Sequence, residues 1–193
     1  NGNGVAAWST LPSNNNNTGT STCDDPEPHT ALTAGERKFY IEIPGAPSSH
    51  TQQFPGLNGS EIVCYGYEFK QLPGGGNSCN NLFFKVRKEV DRASPKLRKR
   101  TFFGQISTNA ELNVYRKNTN NQIVRELTIG FDAIKIKSVE TEVMYAGNGE
   151  YRMYEILDIE IIDKVKFTYY IYSPTTGQLT SNIAETFNCI TGQ

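Results

Sequence analysis

The sequence is poor in residues that carry catalysis. Its 193 residues include two histidines, His29 and His50, and four cysteines, none in a CxxC pair. His29 lies in a Pro-rich acidic segment and His50 in a Ser-rich loop; neither neighbours a nucleophile motif such as GxSxG, and HExxH is absent. Gly74, Gly75 and Gly76 lack the following Lys-Ser/Thr of a phosphate-cradling loop, so they read as a connector. Asp24, Asp25 and Glu27 offer hard oxygens without the alternating spacing of a calcium loop. Asp158 and Glu160 share a strand face, a spacing that hydration explains. No enzyme activity, metal or cofactor is expected. Charge of one sign is lacking too: 19 Lys and Arg against 20 Asp and Glu leave a net charge of −1. That balance gives nucleic acid or an anionic membrane no electrostatic basis as partner. Long apolar runs are also missing. None approaches the ~18–20 residues that cross a bilayer, so membrane insertion is not expected.

What is present begins with a low-complexity segment, residues 1–35. Asn14 to Asn17 stand in a row, followed by Thr, Gly and Ser and an acidic, Pro-broken piece. Such a composition cannot bury enough apolar surface to fold alone and reads as an arm that lies against something else. Val5, Ala6, Ala7, Trp8 and Leu11 are its apolar anchors. Trp8, the sole tryptophan, is a candidate for packing between subunits; packing on its own barrel is the alternative. Residues 174–193 read as a second arm carrying Leu179, Ile183 and Phe187. Asn16 and Asn58 begin N-x-Ser/Thr sequons.

Between the arms the pattern is that of strands. Lys38–Ile43 is stopped by Pro44 and Gly45. Glu61–Phe69 alternates, with Val63, Tyr65, Tyr67 and Phe69 on one face. Leu82–Arg87 places Leu82, Phe84 and Val86 together. Ala110–Tyr115, Ile123–Ile136, Val139–Tyr145, Arg152–Ile162 and Val165–Tyr172 follow, with turns at Asn118–Asn121 and Gly147–Gly149. One helix interrupts the series, over Pro95–Phe103. Ser94 is an N-cap type, Pro95 suits the first helical position, and Gly104 can close the helix in the left-handed conformation. Leu97, Phe102 and Phe103 give it a short apolar side. Seven or eight strands and one helix predict an all-β fold: an antiparallel β-barrel, residues 36–173, with one short α-helix and extended N- and C-terminal arms.

The four cysteines, Cys23, Cys64, Cys79 and Cys189, are even in number and scattered. That favours two disulfides in an oxidising compartment over zinc, with three pairings open. Cys64 and Cys79 flank the Gly-rich loop and can meet across its base, leaving Cys23 and Cys189 to tie the arms within or between chains. Four buried thiols are the alternative. A first residue Asn1 fits an exported chain whose leader has been removed. Basic residues crowd the helix region, including Arg98, Lys99 and Arg100, and acidic residues crowd 140–163. Two such patches can meet when identical subunits join head to tail, or can be two solvated faces.

Six pieces in order resemble the haemolysin-coregulated protein (Hcp) family, the ring-forming tube proteins of type VI secretion systems. They are FYIEIPGAPSS from Phe39, GSEIVCYGYEFKQ from Gly59, LFFKVRKEVDRASPKL from Leu82, AELNVYRK from Ala110, LTIGFDAIKIKSVET from Leu127 and EIIDKVKFTYYIYSP from Glu160. The resemblance spans about Lys38–Pro174. It implies the same barrel, a self-assembling tube with identical subunits as partners, and a ring-contacting role for the extended loop Leu72–Asn81. Leu72, Pro73, Gly74, Gly75 and Gly76 are interface candidates on that ground. Phage tail-tube proteins share the architecture. Ordinary members are compact cytoplasmic proteins without the two arms or this many cysteines. The departures lead to the expectation of an extracellular tube or filament reinforced by arms and disulfides. Two rivals stand beside it: an exported adhesin or carbohydrate binder using Tyr170 and Tyr172, and a secretion-system or phage tail-tube subunit.

Overall fold

The computed structural model describes residues 37–48, 59–71, 82–118, 120–147 and 149–189. Among them are nine strands and one helix, in the order β1 (Arg37–Glu42), β2 (Ile62–Cys64), β3 (Gly66–Gln71), β4 (Leu82–Glu89), α1 (Ser94–Phe102), β5 (Ile106–Lys117), β6 (Ile123–Gly147), β7 (Glu150–Ile161), β8 (Lys164–Tyr172) and β9 (Leu179–Asn188). All pairings are antiparallel, along the path β2-β1-β5-β6-β7-β4-β3, with β8 on β6 and β9 on β8. The two ends of that path are consecutive in the chain. β2 pairs with β1 and β3 with β4, so residues 62–71 wrap the sheet into a barrel although the ladder itself stays open.

β6 is the longest element, at 25 residues. Two expected strands, Ile123–Ile136 and Val139–Tyr145, are one strand here, because Lys137 and Ser138 are no breakers and only shift the register. β7 and β8 follow each other along one edge of β6. The expected strand Glu61–Phe69 divides at Tyr65, whose N–H bonds to Arg87 O. The division changes which side chains face inward. Ile62, Cys64, Tyr67 and Phe69 join the main core, whereas Val63 and Tyr65 join a small outer cluster with Tyr40 and Tyr115. A strict period of two places Val63 and Phe69 on one face; one residue of slippage at the bend undoes that.

The core is built of Ile41, Ile62, Phe84, Val86, Leu97, Leu112, Ile134 and Leu157, all fully buried, and contacts such as Phe84–Phe131 (ring centroids 4.8 Å apart) fill it. Helix α1 reaches it through Leu97 alone. Phe102 and Phe103, expected on the apolar side, are 85% and 61% exposed and stack edge-to-face on each other at the helix end. Gly104 closes the helix at φ +60°, the backbone conformation expected of it. The helix start differs. Ala93 occupies the cap position without a side-chain cap bond, and Ser94 is already helical. Asp91 and Ser94 share the local work: Asp91 Oδ1 accepts from Ala93 N–H, and Ser94 Oγ accepts from Asp91 N–H while it donates to Glu155.

The C-terminal segment, read from sequence as an arm, contains strand β9, which pairs with β8 from Lys164↔Asn188 to Tyr172↔Leu179. Trp8, Leu11, Asn16, Cys23, Asn58, Leu72, Pro73, Gly74, Gly75, Gly76 and Cys79 lie outside the described residues.

Candidate assembly surface

The end of β4 and the middle of β7 put Lys88 opposite Glu155 in the ladder, beneath the first turn of α1. Lys88 is fully buried. Its Nζ donates to Ser94 Oγ at 2.9 Å, to Glu155 Oε2 at 3.0 Å and to Glu89 O, and lies 2.8 Å from Asp91 Oδ1. Glu155 is equally buried and also accepts from the Ser94 hydroxyl and from Arg98 Nε at 2.9 Å. Burial alone raises the Glu155 pKa. The Ser94 hydrogen bond, the Lys88 charge and bonds from Lys88 and Arg98 outweigh it and hold the carboxyl below its usual value. A buried charge persists only when paired and hydrogen-bonded in this way. The cluster clamps the helix to the barrel and has no opening to a substrate.

Part of each charge patch is paired within one subunit. Arg87 on β4 pairs with Glu142 on β6 at 2.8 Å, and Arg152 on β7 reaches Glu89 on β4 at 3.1 Å and Glu150 on its own strand at 3.4 Å. Arg98 spends its guanidinium on Glu155 and Thr141. Arg100 is half-buried and donates to Ser107 Oγ and Pro44 O. Gly45 makes room for it; a Cβ there would lie 2.5 Å from Arg100 Nη2, at φ +80°. Of the three basic interface candidates on the helix, only Lys99 remains exposed without a partner among the described residues.

Surfaces that do face solvent with apolar side chains lie at opposite ends of β6. At one end, β6 and β7 run past the last residue of β4, which pairs with Tyr154, and project as a two-stranded ribbon. Val143 opposes Met153 and Tyr145 opposes Tyr151, so all four share one face; Tyr151 is 72% exposed, and its ring meets Tyr145 at 5.4 Å. Reading each strand singly misses this face. The available signal was the mirror symmetry of apolar residues about Gly147–Gly149. At the other end, β8 and β9 form a flap. The inner face of β8 passes from buried Val165 through Phe167 to exposed Tyr169 and Ile171, and β9 beside it shows Ile183 and Phe187, 53% and 48% exposed. Phe187 was an interface candidate from sequence, and it stands on open surface. Phe69 and Leu82 face this flap across a cavity of about 280 Å³.

The tyrosines named for stacking on a sugar, Tyr170 and Tyr172, are both half-buried. Tyr170 is half-buried beneath Arg125, whose guanidinium carbon lies 5.7 Å from the ring centroid and 5.8 Å from that of Tyr115. Cys64 is a free thiol in the core, its Sγ 3.5 Å from Ile62 O, and burial pushes its pKa up. Its pairing with Cys79 across the loop is therefore not made: the inward position of Cys64 on β2 treats it as a small apolar side chain. Cys189, just past β9, bonds through its N–H to Asp163 O and packs on the core. Among the described residues no group of His, Cys, Asp and Glu is arranged to hold a metal ion, and no helix is long and apolar enough to cross a membrane.

The sequence model of the family described as "Type VI secretion system effector, Hcp" matches residues 69–174, more than half of the chain. The chain belongs to the Hcp family. No curated protein matches the sequence. Solved structures similar to the chain include one described as a type six secretion system protein, at TM-score 0.65 and 18% identity, covering 82% of this chain and 99% of that one. Hcp1 from Salmonella typhimurium gives 0.62 and 17%, covering 80% and 95%. A type VI secretion system effector from Yersinia pestis gives 0.56 and 17%, covering 78% and 98%. At such identities the likeness is one of fold: the Hcp barrel with a single helix between β4 and β5. The family match starts at β3, and the structural likeness extends over a larger share of the chain.

Proposed function

We propose that this chain is the structural subunit of a self-assembling tube or filament of stacked barrels that acts outside the cell, with identical subunits as its partners. The observation that carries the reading is an Hcp-family barrel that sends apolar ribbons into solvent at both ends of its longest strand. Such patches are uncommon on a monomer and mark interaction surfaces. Two different patches at opposite ends suit a head-to-tail contact, the kind that generates rings or helical filaments. The arms and disulfides are the reinforcing elements. What supports them is the place of Cys189, just past β9 at the end of the flap, where a link to another arm would hold the projecting strand. A covalent tie at a projecting strand suits an oxidising environment.

Electron microscopy of the native protein before and after a reducing agent tests this. Tubes of uniform diameter that fray on reduction are the expected result, and place the disulfide among the links that hold the assembly. Tubes indifferent to reduction keep the filament and confine the disulfide to the subunit. Isolated particles under both conditions would sink the proposal.

A further inference from the structure

We propose that the β8–β9 flap is the docking site for residues Val5–Leu11 of a neighbouring copy, added as a strand along the free edge of β9 with Trp8 seated in the cavity beside it. The inference deepens the self-assembly reading and rests on it. Its first ground is the edge. Among the described residues β9 pairs with β8 alone, and all of Leu179–Phe187 is exposed. Folded proteins protect strand edges with prolines, bulges or rows of charge, because an unpaired edge templates another chain. β9 has no proline, no register shift between Ser181 and Asn188, and one charge in ten residues, Glu185.

The second ground is the cavity. Its walls are Phe69 and Leu82 on one side and Val165, Phe167, Tyr169, Glu185 and Phe187 on the other, so it is apolar but for the Glu185 carboxylate at its rim, and its volume of about 280 Å³ is that of a site for one large side chain. The Phe69 and Phe167 rings meet edge-to-face at 5.1 Å and line its base. An aromatic side chain placed here gains edge contacts in addition to burial.

The third ground is the chain that lies outside the described residues before Arg37. Residues 1–23 carry no charged side chain, so a strand from this segment brings no charge of its own that docking would desolvate. Val5–Leu11 is its densest apolar cluster, bounded by Gly4 and by Pro12, a residue that ends strand pairing. In an extended strand Ala6, Trp8 and Thr10 share one face and Val5, Ala7 and Leu11 the other, which suits a ribbon exposed on both sides. The spacer from Pro12 to Glu36 can reach about 80 Å. A barrel of this size measures about 40 Å across. A spacer twice the width of its own subunit is long enough to reach a neighbour.

This mode of binding, an extended segment completing an open sheet edge, draws affinity from main-chain bonds and specificity from one side-chain pocket. The test uses the full chain with Trp8→p-benzoyl-phenylalanine, prepared unlabelled and heavy-nitrogen-labelled, mixed before assembly and irradiated. Cross-links to Tyr169, Ile183 or Phe187 that join light and heavy peptides, in the proportion random mixing gives, are the expected result. Cross-links only between peptides of the same isotope, to other residues, or none at all would overturn the proposal. The companion variant, Phe187→Asp with Trp8 retained, is read by the emission of the sole tryptophan. A red shift and stronger acrylamide quenching with unchanged circular dichroism support docking; unchanged emission refutes it. Tubes seen by microscopy together with cross-links elsewhere remove this inference and leave the tube. Single subunits remove both.

Discussion

Beneath α1, Lys88, Asp91 and Glu155 are charged and buried; on β9, Ile183 and Phe187 are apolar and exposed. Each region inverts the usual partition of side chains, and the reasons differ. The charges under the helix are satisfied within one subunit, by partners from β4, β7 and α1 that all point at one spot. The apolar residues of the flap have no cover among the described residues of the same subunit. A buried polar cluster that is complete within the fold contributes to its stability, whereas an apolar strand left open is a contact awaiting its partner. On the proposed reading, stability and assembly belong to different faces of the barrel.

Substitutions can break this contrast. The largest effect is expected for Lys88→Met, which strands Asp91 and Glu155 without their shared cation; loss of one partner in a buried ion pair costs about 3–5 kcal/mol, read from the urea midpoint of the subunit. Glu155 sharpens the same side of the comparison through pH. Its folded pKa lies below the unfolded value, so its contribution is fully present above about pH 4.3, the ordinary glutamate value, and is lost as pH falls through the folded value. Glu155→Gln should lower the melting temperature at pH 7 and leave a smaller further fall between pH 5 and pH 3 than the parent shows. The smallest effect on folding belongs to Phe187→Asp. At a half-exposed site the subunit should change by no more than about 0.5 kcal/mol, while sedimentation and microscopy show assembly lost. A Phe187→Asp subunit that still assembles would dissolve the contrast.

Much of this was legible in the sequence, and the rest shows where one-dimensional reading ends. Pro95 and Gly104 marked the helix because their backbone preferences act locally. The role of Ser94 was misread because its partners Lys88 and Glu155 lie 6 and 61 positions away, where local capping rules carry no information. Leu82, Phe84 and Val86 were placed correctly, since an uninterrupted strand keeps its parity. Val63 was not, since the bend at Tyr65 shifts parity by one residue. The basic and acidic patches were visible as composition, yet only the strand pairing reveals that Arg87, Lys88 and Arg98 meet Glu142 and Glu155 within the subunit. Phe102 and Phe103 looked like core because apolar residues at a helix end usually are; at about 100° per residue they lie five and six positions past buried Leu97 and so point away from its face. The bonds that Arg98 and Arg100 make within the subunit were invisible for the same reason as those of Ser94: their partners, Glu155, Thr141 and Pro44, lie far away in the chain.

The burial of Cys64 has a consequence for watching the molecule move. Its thiol sits on β2, the short strand through which the chain crosses from β1 to β4 and wraps the barrel. Burial suppresses the thiolate, and the thiolate is the reactive form. A thiol reagent can therefore modify Cys64 only during excursions in which β2 lifts away and exposes it. The rate of modification, followed against reagent concentration, reports how often that crossing opens and at what free-energy cost, separately from global unfolding. Evolution has placed a chemical stopwatch at the barrel's seam, and it runs only while the seam is open.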